Sequence, residues 1–378
     1  MKTLLLTTTA LFTPLFLLAQ SPFDNWDKNK DGKLSRDELP PQAQRNFDRA
    51  DANGDGSISR EEDQAFRSRA GMGNGGSPGK GGGKGGPEVD AKKHLNLSYA
   101  DNDNPRQTVD LYLPTNATAD EPLPLVCWIH GGGWRGGTKD NARRVLPFLE
   151  SGNYAVASIG YRLTDEAQWP SQIQDCKAAI RFLKAKADKF GIDPDRIAVW
   201  GSSAGGHLVA MLGVANDIEN FDAGKYPDYG TTSEVTCVVD YFGPTELLAM
   251  NEQGSKMDHD AANSPEGLLV GGAIQENQET AKDASPLSHV TSDDKPFLIV
   301  HGTEDPLVPH QQSVEFEEAL EEVGVAATFV SVDGGAHGGG FPPETTDIVK
   351  EFIDWHLRQV GEPPEDQVLE AAKTKRAN

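Results

Sequence analysis

The run Ile197-Ala-Val-Trp-Gly-Ser-Ser-Ala-Gly-Gly-His207 decides how the rest of the chain is read. It starts apolar and rich in β-formers, tightens at Gly201-Ser202-Ser203-Ala204-Gly205, and continues in helix-forming residues. That order predicts a strand, a sharp turn and a helix, with Ser203 at the centre of G-x-S-x-G. A serine hydroxyl is a weak nucleophile until a base takes its proton. The turn lifts Ser203 out of the sheet, where a histidine can reach it. Gly201 and Gly205 remove the side chains that would collide across the turn. The Ala204 N–H then sits at a helix start, facing developing negative charge.

Three further pieces follow the order that acyl transfer needs: His130-Gly-Gly-Gly-Trp134 upstream, then Asp305, then His337. His337 is the expected base because it lies in a glycine-rich loop, Gly334-Gly-Ala-His-Gly-Gly-Gly340, after a predicted strand. Of the other histidines, His130 is expected to brace its own loop and His207 to face away on the helix. His301 ends a strand beside the candidate acid, and His259, His289 and His310 fall in polar segments. Asp305, just past a strand end, is expected to fix the imidazole tautomer, with Glu304 as its neighbouring competitor. Gly132, Gly133 and Ala204 are the expected oxyanion donors, and Trp134 is expected to wall the acyl pocket.

Around these residues strands and helices alternate. Leu123 to His130 is a near-continuous apolar run, as a strand covered on both faces requires. Two leading strands, 96–99 and 107–113, read as antiparallel. Further strands are predicted at 154–159, 196–200, 235–241, 297–301 and 327–332, and helices at 172–190, 205–214, 310–324 and 345–360. The fold class is therefore α/β, a mostly parallel sheet with helices on both faces, preceded by a small all-α module. Residues 216–235 and 247–284 lack clear periodicity and read mainly as surface loop, with Met250 and Met257 as candidate pocket residues.

The segments Gly-Pro-Thr-Glu246, Ala-Ser-Pro-Leu287 and Pro-Phe-Leu-Ile-Val-His-Gly302 add a family signal to this pattern. Residues 91–358 resemble an α/β-hydrolase of the hormone-sensitive-lipase and carboxylesterase kind, near the bacterial esterase/lipase and feruloyl-esterase-like group. The resemblance implies Ser203 as nucleophile, Asp305 as acid and His337 as base. It also implies cleavage of esters of small or aromatic acyl groups, including feruloyl and acetyl groups on plant polysaccharides. Two other readings compete: a calcium-dependent binding protein with an inactive hydrolase domain, and an exopeptidase on the same fold.

The first part of the chain has its own logic. Residues 1–20 carry an early Lys2 and then an apolar run ending near Ala19, which reads as a signal peptide and export, with an N-terminal membrane anchor as runner-up. Within 21–70 one pattern occurs twice. Asp27, Asn29, Asp31, Lys33 and Glu38 match ligand positions of the twelve-residue EF-hand calcium loop, and Asp51, Asn53, Asp55, Ser57 and Glu62 match them again. At the seventh position only the backbone carbonyl is used, so Lys33 is no obstacle. Leu34 and Ile58 are expected to pair the loops back to back. Calcium is thus the expected ion, held away from the catalytic machinery, which needs no cofactor. Residues 71–88, rich in Gly, Lys and Ser, read as a tether to the catalytic domain at 89–360, followed by a polar, frayed tail at 361–378.

Composition narrows the partners. The formal net charge is −23, from 58 acidic and 35 basic residues, which argues against nucleic acid or an anionic membrane as a partner. An ester substrate is the expected partner. Cys127, Cys176 and Cys237 are an odd count in apolar elements, so buried free thiols are expected.

Overall fold

A computed structural model of the chain describes residues 26–39, 44, 47–51, 55–59, 62, 90–118, 120–215 and 218–372. The signal-peptide reading, the tether and Asn53 lie outside the described residues. The chain divides into two compact units, residues 1–74 and 75–378.

In the first unit the two loops share a set of backbone-to-carboxylate hydrogen bonds at equivalent positions. The Asp27 carboxylate accepts the N–H groups of Asp31 and Gly32, as the Asp51 carboxylate accepts those of Asp55 and Gly56. Glu38 accepts the Ser35 N–H at 2.9 Å, and Glu62 accepts the Ser59 N–H at 2.9 Å. Gly32 and Gly56 take the left-handed backbone, φ 81° and 83°, that the turn demands. Strands β1 (Lys33–Leu34) and β2 (Ile58–Ser59) pair antiparallel with Leu34 opposite Ile58, as expected. Leu34, Leu39, Phe47, Ala50 and Ile58 bury a small core beneath them.

The second unit is built on one sheet of nine strands. These are β3 (Ala91–Ser98), β4 (Thr108–Pro114), β5 (Leu123–Ile129), β6 (Ala155–Ile159), β7 (Ile192–Ser202), β8 (Cys237–Tyr241), β9 (Phe297–Gly302), β10 (Ala327–Asp333) and β11 (Gln367–Glu370). Their spatial order is β11-β10-β9-β8-β7-β5-β6-β4-β3. The β3–β4 and β4–β6 pairs are antiparallel and the others parallel. The inner parallel strands β5, β6, β8 and β9 are buried on both faces because crossover helices cover them. Helices α1 (Ser171–Ala185), α2 (Ala204–Val214), α3 (Pro265–Val270), α4 (Gln311–Glu322) and α5 (Glu344–Arg358) carry the main connections and the insertion after β8. Two apolar cores follow. One includes Ile173, Leu208 and Phe316; the other includes Trp200, Tyr241, Phe352 and Ile353.

Three expectations need correction. The predicted helix over 172–190 stops at Ala185 and resumes only as Ala187–Phe190, closed by Gly191 in the left-handed region. The tail is not frayed throughout, because β11 adds a parallel edge strand to β10. Its alternation carries no apolar signal, because Val368 is exposed with Glu370 while Gln367 shares the half-buried side with Leu369. The stretch 247–284 is not plain surface loop, since Leu247, Met250, Leu269, Ile274 and Ala281 are all fully buried. Short helices with irregular joins break the period that a sequence pattern depends on. The three cysteines are free and buried, as expected. Among the described residues no helix is long and apolar enough to cross a membrane.

Candidate active site

Strand β7 is the middle strand of the nine-stranded sheet, between β5 and β8. It delivers Ser203 at its carboxyl end, where open α/β sheets present their functional groups. Ser203 holds φ 56° and ψ −126°, a strained backbone for a residue with a side chain. The strain persists because the turn is fixed on both sides. The Ser203 N–H donates to the Tyr241 carbonyl at 2.9 Å, and the Ser203 carbonyl accepts the His207 N–H at 2.9 Å. A Cβ on Gly201 would sit 2.1 Å from the Gly205 carbonyl oxygen, and one on Gly205 would sit 2.2 Å from that of Ile129. The G-x-S-x-G glycines are therefore required by backbone approach.

The loops after β9 and β10 bring the other two residues together. Nδ1 of His337 lies 2.7 Å from Oδ2 of Asp305. A carboxylate only accepts, so the imidazole proton on that side resides on Nδ1, leaving Nε2 to act on a reacting group. The Asp305 side chain is fully buried, yet its other oxygen accepts N–H groups from Leu307 (2.8 Å) and Val308 (3.0 Å). Burial works against its charge, but the contacts from His301 and His337 outweigh it and hold the carboxyl well below the usual range. The competitor Glu304 is exposed.

His337 is held by packing as well as by this bond. The Phe242 ring lies 4.6 Å from its ring, centroid to centroid. Phe242 follows Tyr241, whose carbonyl anchors Ser203, so nucleophile and base flank one short segment. The Ser203 hydroxyl makes no hydrogen bond among the described residues. Such bonds are often long in a free enzyme and tighten with substrate.

The glycine-rich loop closes the site from the β5 side. At Gly131 a Cβ would come within 3.3 Å of the Ser203 Cβ, which measures how closely the loop meets the elbow. The N–H groups of Gly132, Gly133 and Ala204 donate to no acceptor among the described residues. His130 braces the loop as expected. Its Nδ1 lies 2.8 Å from the Gly131 carbonyl, and its ring stacks on Tyr161 with centroids 4.3 Å apart. Burial pushes its pKa down to about 4, so it stays neutral. Trp134, expected at the pocket wall, is buried, and its indole N–H donates to Nδ1 of His207 at 3.2 Å. His207 in turn meets the Ala284 carbonyl at 2.6 Å through Nε2, and burial lowers its pKa to about 4. These contacts tie the glycine-rich loop to α2 and to the region before residue 285.

Two features were not anticipated. Asp240 is fully buried next to the elbow, pairing with Gly201 across β7 and β8. One carboxyl oxygen accepts the Gly243 N–H at 2.9 Å, and the other has no partner. Burial raises its pKa to about 7. The second is an ion pair between His259 and Glu266, both buried. A lone Asp in a strand, or a His in a polar stretch, carries no sequence signal for either. Two cavities of about 440 and 490 Å³ lie elsewhere, lined by residues such as Arg181 and Tyr229, and Ile218 and His289, and none of the three candidate catalytic residues borders them.

Comparison with known proteins bears on this geometry. Residues 109–320 match the family model described as BD-FAE, and residues 23–39 and 45–65 match that of the EF hand. Esterase LipC of Mycobacterium tuberculosis is 32% identical over 244 residues, covering 62% of this chain and 58% of LipC. The chain spans about half the length of the curated relatives it matches. A solved structure described as "Truncated form of carbohydrate esterase from gut microbiota" is 33% identical, with a TM-score of 0.66. That match covers 72% of this chain and 99% of the other. A bifunctional GH43-CE protein of Bacteroides eggerthii is also 33% identical, with a TM-score of 0.63, over 71% of this chain and 35% of its own. The architecture is that of an α/β-hydrolase, with an EF-hand match at its N-terminus.

Proposed function

The chain belongs to the BD-FAE family, and from that premise we propose that it is a serine carboxylic-ester hydrolase working through an acyl-enzyme on Ser203. Ser203 Oγ attacks the acyl carbon while His337 Nε2 takes its proton. Asp305 stabilises the resulting imidazolium without being protonated itself. The N–H groups of Gly132, Gly133 and Ala204 receive the negative charge on the former carbonyl oxygen. Each such donor is worth about 3–4 kcal/mol of transition-state stabilisation. The imidazolium then gives its proton to the leaving alcohol. Water repeats the sequence, and the free acid departs. The observation that carries the reading is the 2.7 Å Asp305–His337 contact beside a strained serine elbow.

The proposed substrates are short-chain or aromatic esters, feruloyl or acetyl, on plant or algal polysaccharide. Support comes from the structural neighbour described as a carbohydrate esterase. Export through the N-terminal 1–20 segment belongs to the same proposal. So does calcium at the EF-hand module. Its donors are all oxygens, and left-handed glycines turn both loops, a donor set that suits a hard cation. Asp27, Asn29, Asp31, the Lys33 carbonyl and Glu38 would hold one ion, and Asp51, Asn53, Asp55, Ser57 and Glu62 the other. Calcium would supply cross-linking of each loop.

A panel of acetyl-xylan, feruloylated and p-nitrophenyl esters, ranked by kcat/KM, tests the substrate class. Preference for polysaccharide-linked esters over the small chromogenic ones is expected. Exclusive cleavage of aminoacyl-nitroanilides would instead favour the exopeptidase reading.

A further inference from the structure

Outside the triad, Ser255, His259 and Glu266 form a second serine–histidine–acid constellation. Ser255 Oγ lies 2.7 Å from His259 Nε2, and His259 Nδ1 lies 2.8 Å from Glu266 Oε2, a charge contact in which neither atom has a hydrogen-bond partner among the described residues. It is not a second nucleophile. His259 Nε2 is also 2.9 Å from the Leu307 carbonyl, and Ser255 Oγ donates to that same carbonyl at 2.9 Å. A carbonyl can only accept, so Nε2 carries a proton and cannot take one from Ser255.

The arrangement does connect the walls of the catalytic site. On one side, the Leu307 N–H donates to Oδ1 of Asp305, and the Lys256 N–H donates to the Pro306 carbonyl at 3.2 Å. On the other, Glu266 sits in the first turn of α3, next to Pro265. A Cβ on Gly133 would lie 3.1 Å from the Pro265 Cβ. Ser264 caps α3 through the Gly267 N–H at 2.8 Å and donates to the His259 carbonyl at 2.7 Å. His259 and Glu266 are 1% and 4% exposed, so water barely screens the pair.

We propose that the His259–Glu266 pair is a positioning clamp, holding the Asp305 loop and the oxyanion loop at Gly133 in register across the site. The inference rests on Asp305 serving as the catalytic acid. Geometry makes the clamp dependent on a proton. With Nδ1 protonated, the imidazolium attracts Glu266. Without it, a lone pair faces a carboxylate. Burial disfavours the charged ring, but Glu266, the Leu307 carbonyl and Asp260 more than offset this and raise the His259 pKa. The clamp therefore loosens as pH rises through that value. In Glu266→Gln an amide N–H can donate to the neutral ring, and no proton is needed.

The test follows kcat and KM of the full chain on p-nitrophenyl acetate from about pH 6 to about pH 10. His259→Ala is expected to lower kcat about tenfold to a hundredfold, with a smaller change in KM, because misplaced catalytic groups cost rate. Glu266→Gln is expected to remove the wild-type decline on the alkaline side. A folded His259→Ala variant with wild-type kcat would overturn the clamp. If His259→Ala fails to fold, Glu266→Gln decides alone, and an alkaline profile identical to wild type overturns the proposal. Ser203→Ala runs alongside. Turnover in that variant sinks the triad reading itself, whereas a dead Ser203→Ala with clamp variants that behave as wild type sinks only the clamp.

Discussion

Oδ2 of Asp305 lies 2.7 Å from Nδ1 of His337, though 32 positions separate the two along the chain. The contact exists because β9 and β10 are parallel neighbours whose carboxyl ends open at the same rim. Asp305→Asn keeps the shape but can donate to Nδ1, which selects the wrong tautomer. Turnover of p-nitrophenyl butyrate is expected to fall about 10³- to 10⁴-fold. Glu304→Gln, at the exposed neighbour, is expected to leave it unchanged. Reversed effects in a steady-state assay would move the acid to Glu304.

The elbow makes a stability prediction. Because a Cβ on Gly201 would meet the Gly205 carbonyl oxygen at 2.1 Å, Gly201→Ala must displace backbone and not merely a flexible side chain. Urea unfolding should reveal a loss of about 2–4 kcal/mol, at or above the usual cost of overpacking. Gly254→Ala makes a useful comparison, since no atom lies within 4 Å of its added Cβ, though its φ of +89° carries a strain of its own. An equal loss at both sites would deny the close approach.

Asp240 predicts a pH dependence of stability. Its carboxyl is raised to about 7 in the folded chain, whereas an unfolded aspartate titrates near 4. Between those values the folded state holds a proton that the unfolded state has released. Stability from this group is therefore full below about pH 4 and falls until about pH 7. Asp240→Asn mimics the protonated form, and its amide oxygen can still accept the Gly243 N–H. Relative to wild type it should gain about 2–3 kcal/mol between about pH 5 and about pH 8, measured by urea unfolding at each pH. A constant difference across that range would contradict the assignment.

Calcium should act on the first unit alone. Removing it with EGTA is expected to lower the unfolding temperature of residues 1–74 and leave ester turnover within about twofold. At a free calcium level about a hundred times the dissociation constant, binding adds about 2.7 kcal/mol. Differential scanning calorimetry beside an esterase assay separates the two effects. Loss of most activity without unfolding would show that the module regulates catalysis.

Legibility in the sequence depends on the length over which a pattern repeats. The apolar run of β5 and the stripe of α1 are long and regular, so the residue order alone makes them stand out. Ser203 and His337 announce themselves because glycines crowd around them for steric reasons. Asp305 needed its place past a strand end. Asp240 had no such mark, since it is one acid inside an apolar strand whose burial comes from α2 packing above it. His259 and Glu266 belong to a region of short helices, where the pairing partner is set by tertiary packing and no period survives. Trp134 is legible as part of the loop, but its inward turn toward His207 depends on α2 and cannot be read locally.

The most direct test is covalent. Ser203 Oγ should attack the phosphorus of a fluorophosphonate probe, forming a P–O bond as fluoride leaves and the hydroxyl proton passes to His337, and peptide mass mapping of the wild-type chain should place the phosphonyl adduct on Ser203. The same treatment of folded Ser203→Ala should leave no adduct, with ester turnover abolished. An adduct on another residue, or undiminished turnover in Ser203→Ala, would contradict the account.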